Sequence, residues 1–115
     1  MATAAPGLNV TSVTAAVAWY ERMLGVTAVF IVPGDDPAYG VIKRDDLTLH
    51  LRKRPDVAGT SFCYLVVDQA QQWFDDLEAK GAAFRRRIET SSYGMRDFEV
   101  LDCCGNLIGI GAPAR

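Results

Sequence analysis

The chain repeats itself once, and that repeat decides most of what it can fold into. "LNVTSVTAAVAWYERMLG" reads as a short strand, a turn and a helix, and "SFCYLVVDQAQQWFDDLEAKG" in the second half reads the same way. In the first helix Val13, Val17, Tyr20 and Leu24 follow spacings of four, three and four; in the second, Ala70, Phe74 and Leu77 follow four and three. Each set makes one apolar stripe on a helix. Gly25 and Gly81 stand where a left-handed C-cap ends a helix, and Ser12 and Asp68 stand beside the N-caps.

Strand material follows each helix: "VTAVFIV", "YGVIKR" and "LTLHL" first, then "AAFRRRI", "MRDFEVL" and "NLIGIG". Turn signals separate the strands, namely "PGDDPAYG", "RDD", "ETSSYG" and "DCCGN". The halves also align point by point. Val10 matches Val67, Tyr39-Gly40 matches Tyr93-Gly94, and "LTLHL" matches "NLIGI". Repeat one spans about 5–53, a linker about 54–60, and repeat two about 60–112 of a single domain, 1–115. Four strands with one helix leave a sheet face bare, so one half cannot close a core. The expected fold is α+β: two tandem βαβββ repeats forming a curved mixed sheet, with helices on the convex face and a concave ligand cleft.

Composition narrows the function classes. Hydrophobic residues make up 50% and charged residues 23%, which fits a folded protein and not a disordered one. A formal net charge of −2 draws the chain to neither nucleic acid nor an anionic membrane. The runs "RKR" (52–54) and "RRR" (85–87) lack interleaved aromatics and read as solvated edge or linker charge. No apolar run approaches the roughly 20 residues of a membrane helix, and "MATAAPGLNV" lacks a signal-peptide pattern. Three cysteines, two adjacent, make no disulfide framework. A cytoplasmic protein is expected.

Two stretches, "AWYERMLGV" and "YGMRDFEVLDCCGN", are similar to the "FY..vLG" helix end and the "WG.R.F...DP.GN" stretch of one family. In order, at the right distance, inside a twofold repeat, the chain resembles the glyoxalase / bleomycin-resistance / extradiol-dioxygenase (vicinal oxygen chelate) superfamily. Catalytic members of that family hold a divalent metal with one side chain from the first and last strand of each half. Here those positions fall on Ala5 or Pro6, His50, Phe62 or Cys63, and Gly109. His50 alone is a clear ligand, with Cys63 a second only if the register slips. One imidazole does not hold a catalytic metal at useful affinity. The resemblance therefore points to the metal-free, bleomycin-resistance-like branch, with no cofactor and no catalytic residue. Its members sequester an aromatic or cationic small molecule. It also implies a homodimer, because relatives build clefts from the repeats of two chains.

The resemblance and strand alternation together name a cleft. "LTLHL" sends Leu47, Leu49 and Leu51 to the helices, and Thr48 and His50 to the other face. His50 there is a ligand partner or a cleft-wall histidine. If Phe62 marks the ligand position, Phe62 and Tyr64 line the cleft, and Phe98 joins them from a strand where Arg96, Phe98 and Val100 alternate together. Arg96 clamps a ligand carboxylate or makes a structural ion pair. Trp19 and Trp73 belong to the core or an interface. Cys103 and Cys104 replace the family's "DP" turn: Asp102 accepts bonds from turn amides, Gly105 supplies a positive φ, and Asn106 re-enters the strand. Three rival readings stay open: a metal-dependent lyase, isomerase or dioxygenase using His50; a thiol-based metalloid binder through Cys103 and Cys104; and an interaction module whose cleft is filled with side chains.

Overall fold

A computed structural model describes residues 2–114. Repeat one contributes β1 (Gly7–Val10), α1 (Val13–Leu24), β2 (Thr27–Ile31), β3 (Tyr39–Arg44) and β4 (Leu47–Lys53). Repeat two contributes β5 (Phe62–Val66), α2 (Ala70–Ala79), β6 (Ala83–Thr90), β7 (Met95–Leu101) and β8 (Leu107–Pro113). The eight strands divide into two four-stranded mixed sheets, ordered β1-β4-β3-β2 and β5-β8-β7-β6. In each, the first strand runs parallel to the last, and the other pairings are antiparallel.

Local chemistry explains the helices. Ser12 caps α1, its hydroxyl accepting from the Ala15 amide at 3.1 Å, and Gly25 closes the helix in the left-handed region at φ 69°. Gln69 holds the N-cap position of α2 without a side-chain cap bond, so Asp68 lies one residue short of that role. Its end is a Schellman motif, in which Gly81 takes φ 78° and the Ala82 amide reaches the Leu77 carbonyl. Both expected stripes are buried. They press on Leu49 and Leu51 of β4 and on Phe98, Val100, Ile108 and Ile110 of β7 and β8, in one core that spans both repeats. Burying each such side chain stabilises the fold by roughly 1.5–3 kcal/mol before entropy is counted.

The "LDCCGN" turn joins the halves. Asp102 Oδ1 accepts the Cys104 and Asn106 amides, both at 2.8 Å, and Oδ2 accepts the Tyr20 hydroxyl at 2.6 Å and Asn106 Nδ2 at 3.0 Å. Asn106 then donates to the Asn9 carbonyl at 2.8 Å and accepts the Ser61 amide at 2.9 Å, while the Ser61 hydroxyl accepts the Asn9 amide at 3.0 Å. Gly105 supplies φ 91°, as the turn requires. Gly59 of the linker lies against the Cys104 carbonyl so closely that a Cβ there would collide with it. A turn within repeat two thus clasps β1 and α1 of repeat one.

Candidate functional site

Each sheet has a helix-free face. On the first, His50 is half-buried and its Nδ1 pairs with the Tyr39 hydroxyl, their rings 5.5 Å apart edge-on. Phe30 stands 6.5 Å beyond Tyr39. On the second, Phe62 (57% exposed), Tyr64 (37%) and Tyr93 (72%) present their rings to solvent. The two tyrosines are positioned by Asp97, whose side chain is 1% exposed. Asp97 Oδ2 accepts the Tyr64 hydroxyl at 2.7 Å and the Tyr93 hydroxyl at 3.2 Å, and Oδ1 accepts Arg86 at 2.7 Å. Arg86 also reaches toward Glu99 and Glu89, each at 3.9 Å.

Glycine makes this arrangement possible. A Cβ at Gly109 would sit 2.8 Å from the Tyr64 ring, and one at Gly111 would collide with the Tyr64 hydroxyl and lie 2.6 Å from Asp97 Cβ. Tyr64 therefore lies across bare backbone on β8 to reach β7. The repeats use one register in mirrored form. Gly7 of β1 faces His50 of β4, and Tyr64 of β5 faces Gly109 of β8. Only in the second pair does the glycine make room for the ring: a Cβ at Gly7 would meet nothing within 4 Å.

Burial alone would raise the Asp97 pKa, but the hydrogen bonds from Tyr64 and Arg86 outweigh it and hold the carboxyl below its usual range. Burial, and then the bond to Asp97, raise the Tyr64 phenol, which stays protonated. A depressed carboxylate stabilises the fold fully above its unfolded pKa, near 3.9, and that stabilisation is lost as pH falls through the folded value. Asp97→Asn should therefore destabilise the protein at pH 7 by about 1–3 kcal/mol and flatten the loss of stability below pH ~4. Urea midpoints at pH 7 and pH 3 measure both effects; an unchanged acid slope would show that Asp97 is not held this way.

Two expected cleft residues lie elsewhere. Phe98 is fully buried, 5.3 Å from the Phe74 ring of α2 and 5.9 Å from Phe84, and so belongs to the helix-covered core. Arg96 shares that face and donates to Gln71 of α2 at 2.6 Å and to Thr90 at 3.2 Å, and it makes no ion pair among the described residues. The reason is phase. Alternation groups Arg96, Phe98 and Val100, but only the hairpin register, with Glu99 opposite Gly109 and Asp97 opposite Gly111, shows that the other set faces the cleft. The "DCCGN" turn sets this register: it places Glu99 opposite Gly109 and, one alternation further, Asp97 opposite Gly111. Arg86 was hidden by a bulge between Phe84 and Arg86, which sends neighbours two apart to opposite faces.

A cavity of about 780 Å³ opens where the repeats meet. It brings Thr48 and Tyr64 together with Trp73, Asp68 and Asp76, while His50 and Phe62 lie outside its lining. Trp73 is covered by Arg44, 4.3 Å from its ring centre, and Trp19 packs edge-on against Tyr20, as core or interface residues do.

The family model described as Glyoxalase/Bleomycin resistance protein/Dioxygenase superfamily matches residues 3–110. The chain belongs to this superfamily. Among solved structures, TioX from Micromonospora sp. ML1 is 17% identical, with a TM-score of 0.83 over 97% of this chain and 99% of that one. The bleomycin resistance determinant encoded on the transposon Tn5 is 24% identical, with a TM-score of 0.81 over 98% of each chain. A bleomycin-binding protein complexed with bleomycin is also 24% identical, with a TM-score of 0.79 over 97% of this chain and 98% of that one. These likenesses establish the shared fold. No curated protein matches the chain in sequence.

The superfamily's metal centre does not fit the residues present. Of the four ligand positions, only His50 carries a ligating atom toward a helix-free face. Gly109 has none, and the Tyr64 ring fills its space. Cys63 is buried on the helix side, where burial and then the Asp102 charge push its thiol up to about 11. Among the described residues, one group of three ligating side chains lies close enough for a metal, Asp102 with Cys103 and Cys104. Each Asp102 oxygen already accepts two hydrogen bonds. Desolvation, followed by the charges of Asp102 and Cys104, pushes the Cys103 thiol up to about 12. Little thiolate then exists near neutrality, and the thiolate is the form that binds soft metals.

Proposed function

We propose that this protein binds a small organic molecule, aromatic or cationic, on its helix-free faces, and sequesters it without a metal. The observation that carries this reading is the exposed set of Phe62, Tyr64 and Tyr93, two of them tethered by hydroxyl to a buried carboxylate. Rings fixed in place by such tethers suit a ligand site, because little side-chain ordering is left to oppose binding. Glu89 and Glu99 outnumber Arg86 around the rings, which favours a cation. Likeness to a bleomycin-binding protein supports the class. Exposed Val29, Phe30 and Ile31 of β2 support a second copy as the cover of that strand, making a homodimer. Among the described residues no helix is long and apolar enough to cross a membrane.

The test is a thermal shift with bleomycin and a panel of aromatic cations in EDTA, with sedimentation run alongside. A ligand at a hundred times its Kd adds about 2.7 kcal/mol, which raises Tm by roughly 4 °C or more. The shift should fall at least tenfold in ligand sensitivity for Phe62→Ala and Tyr93→Ala. Shifts that require added divalent metal would overturn the reading in favour of a metal-dependent enzyme, and no shift with any compound would remove sequestration.

A further inference from the structure

We propose that the outer edge of β5 is a docking site for an extended peptide carrying a basic residue, added as a strand along Tyr64 and Val66. The site adjoins the ligand cleft and does not depend on what that cleft takes. Its first support is the hydrogen-bond alternation of a parallel ladder. The Ser61 carbonyl accepts the Leu107 amide at 3.0 Å, and the Val67 amide donates to the Gly111 carbonyl at 2.9 Å. With β5 and β8 in continuous register between these points, Cys63 and Leu65 also bond to β8, and the N–H and C=O of Tyr64 and Val66 point away from it. They face the seam between the repeats, with no backbone partner among the described residues.

The seam is open at this end. The strands β1 and β5 are the facing edges of the two sheets, yet they form no ladder. Among the described residues, the hydrogen bonds between them gather where Asn9, Ser61 and Asn106 meet. Away from that tie the strands part, and the cavity of about 780 Å³ lies between Pro6, Thr48 and the stretch Tyr64–Val67. Edge strands are commonly protected by charge, proline or bulges. The β6 edge carries Arg85 and Arg87, and β2 carries a bulge. The β5 strand, "FCYLV", has none of these, and on its open side Phe62, Tyr64 and Val66 are 57%, 37% and 71% exposed. An added strand would place alternate side chains beside them.

Charge names the occupant. Asp45, Asp46, Asp68 and Asp76 line the cavity with Arg44 and Lys80. Both cations are engaged at the C-terminus of α1: Arg44 donates to the Leu24 carbonyl at 2.9 Å and Lys80 to the Met23 carbonyl at 3.5 Å. Asp45 lies 3.9 Å from Arg44, and Asp46, Asp68 and Asp76 have no cationic partner among the described residues. A lysine or arginine on the peptide supplies one.

The test is selection of random linear octapeptides on the immobilised full-length chain, followed by synthesis of those enriched. Enriched peptides should carry a basic residue, slow amide exchange at Tyr64 and Val66 at least tenfold, and lose at least tenfold in affinity when N-methylated on alternate residues. Val66→Pro removes the edge donor without touching the β5–β8 ladder, so its melting should change little while peptide affinity falls at least tenfold. N-methylation keeps the proposal falsifiable should Val66→Pro fail to fold. Asp68→Asn with Asp76→Asn should weaken binding and reduce its salt dependence. Failure to enrich any peptide, enrichment of peptides indifferent to N-methylation and Val66→Pro, or self-association that blocks the edge would overturn the proposal.

Discussion

Asp102→Ala should be among the most damaging single substitutions in this protein, costing about 3–5 kcal/mol or preventing folding outright. The truncation removes the acceptor of four hydrogen bonds at a residue that is 7% exposed. It strands the Tyr20 hydroxyl within the core, two turn amides and one arm of Asn106. Each buried donor left unsatisfied costs roughly 1–3 kcal/mol, and the losses within one network are not independent. The effect should not stay within the turn, because Asn106 also holds Asn9 and Ser61 across the repeats. Chemical denaturation should show one cooperative transition at a much lower midpoint. Cys103→Ser serves as the comparison: its exposed side chain has no part in the clasp, and it should move stability by less than about 0.5 kcal/mol. A cost below 1 kcal/mol for Asp102→Ala would mean that the clasp does not hold the halves together.

Phe98→Ala should cost about 3–5 kcal/mol in stability, as fully buried phenylalanines do when truncated. The ring sits between Phe74 and Phe84, so its removal opens a cavity that α2 cannot close without moving. Phe62→Ala is the informative partner. That ring is 57% exposed, so the change should alter stability by less than about 1 kcal/mol while weakening ligand binding. Denaturant midpoints and ligand shifts on the two variants separate the faces of the second sheet. The opposite pattern, with Phe98→Ala stable but unable to bind, would restore Phe98 to the cleft.

The two variants mark where strand alternation stops being informative. Within one strand free of bulges it is reliable: Thr48 and His50 lie opposite Leu49 and Leu51, and Phe62 and Tyr64 lie opposite Cys63 and Leu65, as the sequence predicts. Between strands it is silent, since each strand can be turned over without changing its own pattern. The β7 strand is turned over relative to the expectation that Phe98 joins the cleft. Its neighbours Asp97 and Glu99 are the residues that face the glycines of β8.

What the sequence determined by itself is what lies close along the chain. Helix stripes, the Ser12 cap, the glycine-closed ends and the Asp102–Gly105 turn are all written within a few residues, because each is satisfied by backbone groups three to five positions away. The doubled pattern of strand and helix then carried the fold class, and the resemblance to the superfamily placed Gly109 at one of its metal-ligand positions. Tertiary structure alone decided what joins distant segments. Tyr20 meets Asp102 across 82 positions, Asn9 meets Asn106 across 97, and Tyr64 meets Asp97 across 33. No local preference specifies such pairs. They follow from which sheet face each helix covers and from how far two edge strands part, and both depend on packing the whole core at once.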